Sequence, residues 1–402
     1  MSLDPKHRGR KDGMTHERKG FDMNNEIRAY ITENKELLFR TLRELCAIPA
    51  PSHKEEKRAA YCKAWLEAMG AVGVTIDEAL NVLLPINCEG SDKITVVVAH
   101  TDTVFPDTEP MPYFDDGEKI HSPGVGDDTA SLSVLLLCAK YFVEQNVKPA
   151  DGVLFVCNSC EEGLGNLKGT RQIFHDYEGR IARFISFDSR LAKVADRCVG
   201  SHRYEVVVRT VGGHSYQAFG NPNAIAELAR IATEIYSIEV PKIGNSRTTY
   251  NVGIISGGTS VNTIAQSASM LCEYRSDHVA CLAVMKERFD RIFAEAAVRE
   301  GVELSVKMIG ERPCMGEVDL DKIDRLCELY RGVVWDVMGV EITYGSSSTD
   351  CNIPLSLGIP ALCVGVFSGG GAHTREEWID KASFPTGAEV GLCYLLSLLF
   401  AD

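Results

Sequence analysis

The sequence is short of the features that mark a membrane-spanning or nucleic-acid-binding protein. No apolar run reaches the roughly 18 residues that a membrane helix needs. Positive charge is in deficit, because 42 Lys and Arg stand against 56 Asp and Glu, for a formal net charge of −14. A chain of this charge repels phosphate backbones and anionic lipid surfaces. We therefore expect neither nucleic acid nor a membrane as its main partner.

Two further absences concern the N-terminus and the cysteines. Residues 1–23 have no apolar segment of the signal-peptide kind, so we expect a disordered tail or an expression leader there. The 14 cysteines are scattered singly, which predicts reduced, buried thiols of a cytoplasmic protein rather than a disulfide framework. The one C-x-x-C pair, Cys157 and Cys160, is a redox motif or simply the tail of a strand. No second pair completes a structural zinc site.

The chain does have the length and composition of a globular protein with two domains. Its 402 residues are 45% hydrophobic and 24% charged. Apolar strands alternate with amphipathic helices over residues 24–201 and again over 310–402. This pattern predicts an α/β domain with an open, mostly parallel sheet and helices on both faces. Residues 202–309 follow the order β-α-β-β-α-β instead, which predicts an inserted ferredoxin-like α+β domain.

The chemistry of the chain is centred on residues 152–163. An apolar segment of strand length, residues 153–157, is followed closely by the adjacent carboxylates Glu161 and Glu162. Neighbouring side chains on extended backbone point in different directions. One acid can therefore bind a metal ion while the other faces a substrate or a water molecule.

Residues of the kind that bind metal ions recur near the ends of other predicted elements. His100 and Asp188 each close a strand, and His373 follows another strand after three glycines. Asp127, with Asp128 beside it, opens a helix after a Gly-rich loop. Singly, each is more often a structural hydrogen-bonding group, a turn residue or a helix cap. Together they matter, because sites in open α/β sheets gather beyond the carboxyl ends of the strands.

The number and type of these side chains favour a pair of metal ions. Two histidines with several carboxylates suit Zn²⁺, with Mn²⁺ and Co²⁺ as alternatives. Five such groups exceed the three protein ligands of a typical mononuclear catalytic zinc, so two ions sharing one carboxylate use them better. Asp102, two residues after His100, can reach the imidazole and support it.

The motifs resemble the dinuclear zinc hydrolases, the family that includes tripeptidase T, glutamate carboxypeptidase and acetylornithine deacetylase. Five segments carry the resemblance in the family's order: residues 98–104 (Val-Ala-His-Thr-Asp-Thr-Val), 126–128 (Gly-Asp-Asp), 161–163 (Glu-Glu-Gly), 187–188 (Phe-Asp) and 370–378 (Gly-Gly-Ala-His-Thr-Arg-Glu-Glu-Trp). It extends from about residue 25 to the C-terminus. Residues 349–360 look similar to the tripeptidase T-like branch. Many relatives have a lysine at the position of Thr129, where this chain departs from them.

The resemblance implies the division of the metal ligands. One ion would be held by His100, Asp127 and Asp188. The other would be held by Asp127, Glu162 and His373, so that Asp127 bridges the two.

The resemblance also implies roles for residues around the metal ions. Asp102 would orient the first histidine, and Glu161 would be the general base. His214, in the inserted domain, matches the histidine that steadies the oxyanion, often in the site of the partner. Asn262, Arg275 and Gly370 match substrate-contacting positions. The inserted domain is similar to the family's lid, so we expect a homodimer formed through it.

These residues predict a cytoplasmic enzyme that hydrolyses an amide bond in a small peptide, as a di- or tripeptide aminopeptidase. An N-acyl amino acid deacylase or a carboxypeptidase of the same family stays open. Three rivals from other classes are weaker. Residues 163–169 only approximate a dinucleotide-binding loop, and the neighbouring carboxylates repel a pyrophosphate. A serine hydrolase lacks its G-x-S-x-G turn. A non-catalytic metal-dependent binding protein has no need of a base such as Glu161.

Overall fold

The computed structural model describes residues 19–400, so residues 1–18 of the expected tail lie outside it. Within that range the ten α-helices are α1 (Lys19–Glu33), α2 (Lys35–Cys46), α3 (Glu56–Ala68), α4 (Ser131–Glu144), α5 (Lys168–Asp176), α6 (Ala224–Tyr236), α7 (Val279–Ala297), α8 (Leu320–Met338), α9 (Asn352–Ser356) and α10 (Ser383–Phe400). The described strands are β1 (Thr75–Ile76), β2 (Val82–Ile86), β3 (Ile94–His100), β4 (Phe114–Asp115), β5 (Lys119–His121), β6 (Gly152–Asn158), β7 (Ile181–Arg190), β8 (Lys193–Cys198), β9 (Gly200–Arg209), β10 (Gly213–His214), β11 (Thr248–Gly257), β12 (Thr263–Ile264), β13 (Ser267–Ser276), β14 (Glu303–Arg312), β15 (Thr343–Ser347), β16 (Ala361–Phe367), β17 (Gly369–Gly370) and β18 (Trp378–Asp380). Helix α1 therefore begins inside the segment expected to be a tail.

An eight-stranded sheet forms the centre of the molecule, in the order β1-β2-β6-β3-β7-β16-β8-β15. The four neighbours β6, β3, β7 and β16 are parallel, and β2 and β8 join them as antiparallel strands. Strands β3, β6 and β16 are buried along their whole length, as strands covered by helices on both faces must be. The predicted α/β fold class with a mostly parallel sheet is confirmed.

The parallel strands bring the predicted ligands to one edge of this sheet. His100 is the last residue of β3, and Glu161 and Glu162 follow the end of β6. His373 comes after β16, beyond the short strand β17. Asp188 lies inside β7 rather than at its end, because pairing with β16 continues as far as Arg190.

The segment at Asp127 and Asp128 differs from the prediction of a helix that they open. Both residues have non-helical backbone angles, with φ −108° and ψ 91° at Asp127, and α4 begins only at Ser131. The prediction that these acids stand in the first turn of a regular helix was therefore wrong. The irregular turn places their carboxylates at the sheet edge instead of along a helix.

A second, four-stranded antiparallel sheet has the order β11-β13-β9-β14 and carries α6 and α7. Its chain order, β9-α6-β11-β13-α7-β14, is the predicted β-α-β-β-α-β pattern. It encloses an apolar cluster of its own, with Tyr274, Met285 and Phe289 fully buried. The strands run from Gly200 to Arg312, slightly beyond the predicted limits of 202 and 309. The division of the chain into domains at these limits stays a prediction.

The larger core contains the C-terminal helix and most of the cysteines. Helix α10 packs on β16, α8 and α1. Among the described residues it is the one helix long and apolar enough to cross a membrane, and 67% of it is buried inside the protein. No apolar run long enough for a membrane helix was expected from the sequence, and α10 shows that this expectation was wrong. Because most of α10 is buried inside the protein, it is a helix of the core. All 14 cysteines are buried and free, which confirms the predicted thiols.

Candidate active site

Asp127 lies between two histidines at the sheet edge. His100 Nε2 is 3.1 Å from Asp127 Oδ1, and His373 Nε2 is 3.0 Å from Asp127 Oδ2. The same nitrogen of His373 lies 3.4 Å from Glu162 Oε1. A carboxylate that turns one oxygen towards each of two imidazoles is placed to be shared by two cations. The resemblance implied a bridging role for Asp127, and that role stays a prediction.

Three sets of side chains bring their ligand atoms within 4.8 Å of one another. They are Asp127 with Glu162 and His373, His100 with Asp128 and Asp188, and His100 with Glu161 and Glu162. The first set is one of the two predicted ligand groups. The second set contains His100 and Asp188, as in the other predicted ligand group, but its third member is Asp128, whereas the prediction named Asp127. The sequence reasoning assigned no role to Asp128, although it stands in the quoted Gly-Asp-Asp motif.

Burial and crowding shift the pKa values of these groups strongly. Burial, followed by the charge of Asp127, raises the pKa of Glu162 to about 7. Burial also raises the pKa of Asp188 well above its ordinary value. At Asp127, hydrogen bonds with His100 and His373 overcome burial and lower its pKa. Hydrogen bonds with Asp127 and Glu162 raise the pKa of His373 to about 10. Such a cluster of carboxylates gains stability from a nearby cation.

The donor set fits a pair of divalent metal ions. Asp128 Oδ1 is buried without a hydrogen-bond partner, while its Oδ2 accepts from the backbone N–H of His100 at 3.0 Å. A buried carboxylate oxygen with no donor is costly unless a cation satisfies it. Imidazole nitrogens and carboxylate oxygens together are the ligands that Zn²⁺ and its neighbours prefer.

The carboxylate of Asp102 connects the first histidine to the paired acids. It accepts backbone N–H groups of Glu161, at 3.0 Å, and of Glu162, at 2.9 Å. It also accepts the hydroxyl of Ser52 at 2.6 Å. His100 Nδ1 lies 3.4 Å from its Oδ1 and 3.0 Å from its backbone oxygen. Asp102 is fully buried, so these bonds hold two ligand-bearing segments in a fixed relation.

The sequence profile of the peptidase family M20/M25/M40 matches residues 96–397. This chain belongs to that family. The peptidase is 24% identical over 378 residues to carboxypeptidase G2 of Pseudomonas sp. (strain RS-16), which covers 88% of this chain and 87% of that protein. A tripeptidase from Staphylococcus aureus has the same fold, with a TM-score of 0.71, 20% identity and coverage of 90% of this chain and 97% of the other. A dinuclear metal-binding peptidase from Bacillus subtilis gives a TM-score of 0.62 at 14% identity, covering 93% and 99%.

Family membership establishes the class of reaction. The peptidase is a metal-dependent hydrolase of peptide or related amide bonds, as its sequence predicted. The dinucleotide-binding, serine hydrolase and non-catalytic alternatives are set aside by the same finding.

Two residues that sequence reasoning missed support the site directly. The buried Glu377 accepts backbone N–H groups of Gly124, at 2.7 Å, Gly126, at 3.0 Å, and Asp127, at 2.8 Å. Its carboxylate therefore fixes the irregular turn that presents Asp127, and burial raises its pKa to about 7. The available signal was its position four residues after His373, within the same motif.

Arg312 is the second missed residue, and it contacts the predicted base. Its Nη1 donates to Glu161 Oε1 at 2.9 Å, and both side chains are about 95% buried. Its Nη2 donates to the backbone oxygen of the same glutamate. Burial opposes the charge of the guanidinium, but Glu161 and Asp350 raise its pKa above the ordinary value. Arg312 ends β14, so the second sheet reaches the catalytic edge of the first.

Another buried cation, Arg58, anchors the segment that carries His100. Its three nitrogens donate to the backbone oxygens of Ile48 at 2.8 Å, Thr101 at 2.9 Å and Leu45 at 3.1 Å. Thr101 directly follows His100, so Arg58 ties the end of β3 to the C-terminal end of α2.

Replacing Arg58 with methionine should destabilise the peptidase by about 3 kcal/mol or more. The change leaves the backbone oxygens of Ile48 and Thr101 without a donor, while the Leu45 oxygen keeps the N–H of Ile48 at 3.0 Å. Each carbonyl group left unpaired inside the protein costs roughly 1–3 kcal/mol. Denaturant unfolding measures the effect, with the exposed Arg40→Met on α2 as the matched control, which should leave the midpoint unchanged. An Arg58→Met protein as stable as the wild type would contradict this role.

A cleft of about 530 Å³ lies beside the metal-ligand cluster. Its charged lining consists of the acids Asp127, Glu161, Glu162, Asp188 and Glu377 and the cations Arg190, Lys193, Arg203, Arg275 and Arg312, with His373. Two of the predicted substrate-contacting residues, Arg275 and Gly370, also line it. The cleft therefore combines four of the five predicted metal ligands, the predicted base and several guanidinium groups.

The structure of one chain does not bring His214 and Asn262 into this cleft. His214 is exposed on the short strand β10, which pairs with β12. Asn262 lies next to it, and its backbone oxygen accepts the N–H of Ser215 at 2.9 Å. The two residues lie close together at the two-stranded sheet of β10 and β12, outside the cleft lining. The action of His214 in the site of a partner chain, and the substrate contact of Asn262, stay predictions.

Proposed function

We propose that the peptidase cleaves di- or tripeptides, with Glu161 as the general base. The observation that carries the proposal is the position of this side chain. Its carboxylate lies with His100 and Glu162 in one ligand cluster, yet Arg312 holds only its Oε1. The Oε2 atom has no hydrogen-bond partner among the described residues and is left to take a proton.

The metal ions would be held by the predicted residues, with zinc as the first choice. Asp127, Glu162 and His373 would hold one ion, and His100 and Asp188 with an adjacent aspartate the other. When bound, the ions supply a polarised carbonyl and a water molecule whose pKa falls from 15.7 to about 7.

The side chains of the cleft then have separate tasks. Glu161 would accept the proton of the attacking water at Oε2 and deliver it to the leaving nitrogen. Arg312 would keep the carboxylate aimed into the cleft. Arg275 donates to Glu273 through Nε and Nη2, at 2.7 and 3.0 Å, and its Nη1 makes no hydrogen bond within residues 19–400. This remaining nitrogen would bind the terminal carboxylate of the substrate. The backbone at Gly370 would contact the peptide.

The tripeptidase fold match supports a peptide substrate, and the likeness to carboxypeptidase G2 supports the carboxypeptidase alternative. A panel of tripeptides, dipeptides and N-acetyl amino acids tests the choice. We expect di- or tripeptides to give the highest kcat/KM, with cleavage at the N-terminal residue. Chelation should abolish hydrolysis, and Zn²⁺, Mn²⁺ or Co²⁺ should restore it. Faster turnover of N-acetyl amino acids, or release of C-terminal residues, would overturn the aminopeptidase assignment.

We also propose that the peptidase works as a cytoplasmic homodimer, with the oxyanion donor supplied by the partner. The edge strand β11 leaves Ile254 and Ile255 exposed, at 59% and 55%, which suits a contact between inserted domains. His214→Ala should lower kcat by about 10²–10³ with both metal ions retained, because an oxyanion donor is worth that much.

Mixing two inactive variants tests the shared site. If His214 acts in the partner's site, a heterodimer of His214→Ala and Glu161→Gln chains contains one complete site, and activity should reappear on subunit exchange. If it acts in its own chain, the mixture stays inactive. Either result, read together with metal content, decides where the oxyanion donor comes from.

A further inference from the structure

Two cations of the cleft have no partner of their own. Arg190, the last residue of β7, is half-buried and stands two residues after Asp188. Lys193 begins β8 and is exposed. Both line the cleft, and neither side chain makes a hydrogen bond or an ion pair with any residue in the range 19–400. A half-buried guanidinium has five donors to satisfy, so this site is suited to an external acceptor.

The other three cations of the cleft are already engaged. Arg312 pairs with Glu161 at 2.9 Å. Arg203 and Arg275 share Glu273, at 3.2 and 2.7 Å. Arg190 and Lys193 therefore differ from the rest, because nothing within the described chain neutralises them.

The charge balance of the cleft favours an anionic substrate. With Glu273 and Asp128 added to its five acids, the cleft has seven acids and five basic side chains, so two divalent ions would leave an excess of about two positive charges. The whole protein has a net charge of −14 and repels anions at a distance. A local cationic cleft reverses that repulsion where the substrate binds.

We propose that Arg190 and Lys193 form a subsite for a second carboxylate, so that the peptidase prefers substrates with an acidic side chain. This inference rests on the proposed hydrolysis of small peptides, in which Arg275 takes the terminal carboxylate. The acidic side chain of an aspartate or glutamate residue would accept from Arg190 through two parallel N–H groups, and Lys193 would add charge.

Matched substrates that differ only in this charge test the proposal. The pairs are Ala-Glu with Ala-Gln, and Glu-Ala with Gln-Ala, compared by kcat/KM at low ionic strength. We expect the acidic member of one pair to be preferred about tenfold or more, as a charge-assisted hydrogen bond allows. In the Arg190→Gln/Lys193→Gln double variant the ratio within that pair should fall towards one. The exposed Arg291→Gln on α7 is the control and should keep the wild-type ratio.

Binding of glutarate, compared with butyrate by calorimetry on the metal-loaded protein, gives a measurement that does not depend on turnover. The double variant should lose about tenfold in affinity for glutarate relative to butyrate. An acidic preference that survives the double substitution would overturn the subsite, as would a wild type that hydrolyses both members of each pair equally. Failure to hydrolyse any peptide would count against the proposed function instead, and glutarate binding would still decide the subsite.

Discussion

Replacing Glu161 with glutamine should lower kcat by about 10²–10⁴ while the metal content stays at the wild-type level. Glutamine keeps the size of the side chain and an oxygen that can still accept from Arg312. It cannot take a proton from water. The measurement is kcat on the best peptide substrate, with metal ions per chain determined on the same sample.

The matched control for this change is Glu178→Gln, an exposed glutamate in the turn after α5. It should have wild-type turnover. Near-normal activity in a fully metallated Glu161→Gln protein would refute the role of the base. Loss of metal from that variant would instead place Glu161 among the ligands, as its proximity to His100 and Glu162 allows.

Asp127→Asn should remove at least one metal ion per chain and lower kcat/KM by about 10³ or more. Both oxygens of Asp127 face histidines, at 3.1 and 3.0 Å, so an amide nitrogen replaces one acceptor with a donor. A site without its shared carboxylate loses the activated water that the metal pair provides. Metal stoichiometry by mass spectrometry and steady-state kinetics measure the two effects.

Asp128→Asn is the informative comparison for the bridging ligand. Its Oδ1 is buried and unpaired, whereas its Oδ2 is occupied by the backbone of His100. If Asp127 is the shared ligand, the Asp128 variant should bind two ions more weakly but still bind them. If the Asp127→Asn protein retains two metal ions, Asp127 is not the shared ligand, and Asp128 would be assigned that role.

The convergence of the predicted ligands could be derived from sequence because it follows from local pattern and sheet geometry. Each of β3, β6, β7 and β16 is a recognisable apolar strand, and parallel strands present their carboxyl ends at one edge. Sequence pattern alone therefore predicts that His100 and the paired acids lie at one edge of the sheet, where β3 and β6 end. The profile match over residues 96–397 confirms the family that those motifs indicated.

Local sequence pattern does not predict the contacts of Arg312 and Glu377 with the site, because their hydrogen-bond partners are distant in the chain. Arg312 meets Glu161 across 151 residues, and Glu377 meets Asp127 across 250. The spacing of Arg312 from Glu161 leaves no local signal, and the one signal for Glu377 was its place in the His373 motif. The irregular backbone at Asp127 was missed for a similar reason, since the hydrogen bonds of Glu377 hold a turn where local propensity favours a helix.

The most direct test of the account is the location of metal ions by anomalous X-ray diffraction from crystals of the zinc-loaded peptidase. The account predicts two zinc peaks about 3.5–4 Å apart on either side of the Asp127 carboxylate, within reach of His100, Glu162, Asp188 and His373. Glu161 should remain outside both coordination spheres and beside Arg312. A single peak, or zinc bound away from these side chains, would contradict a dinuclear centre served by a free glutamate.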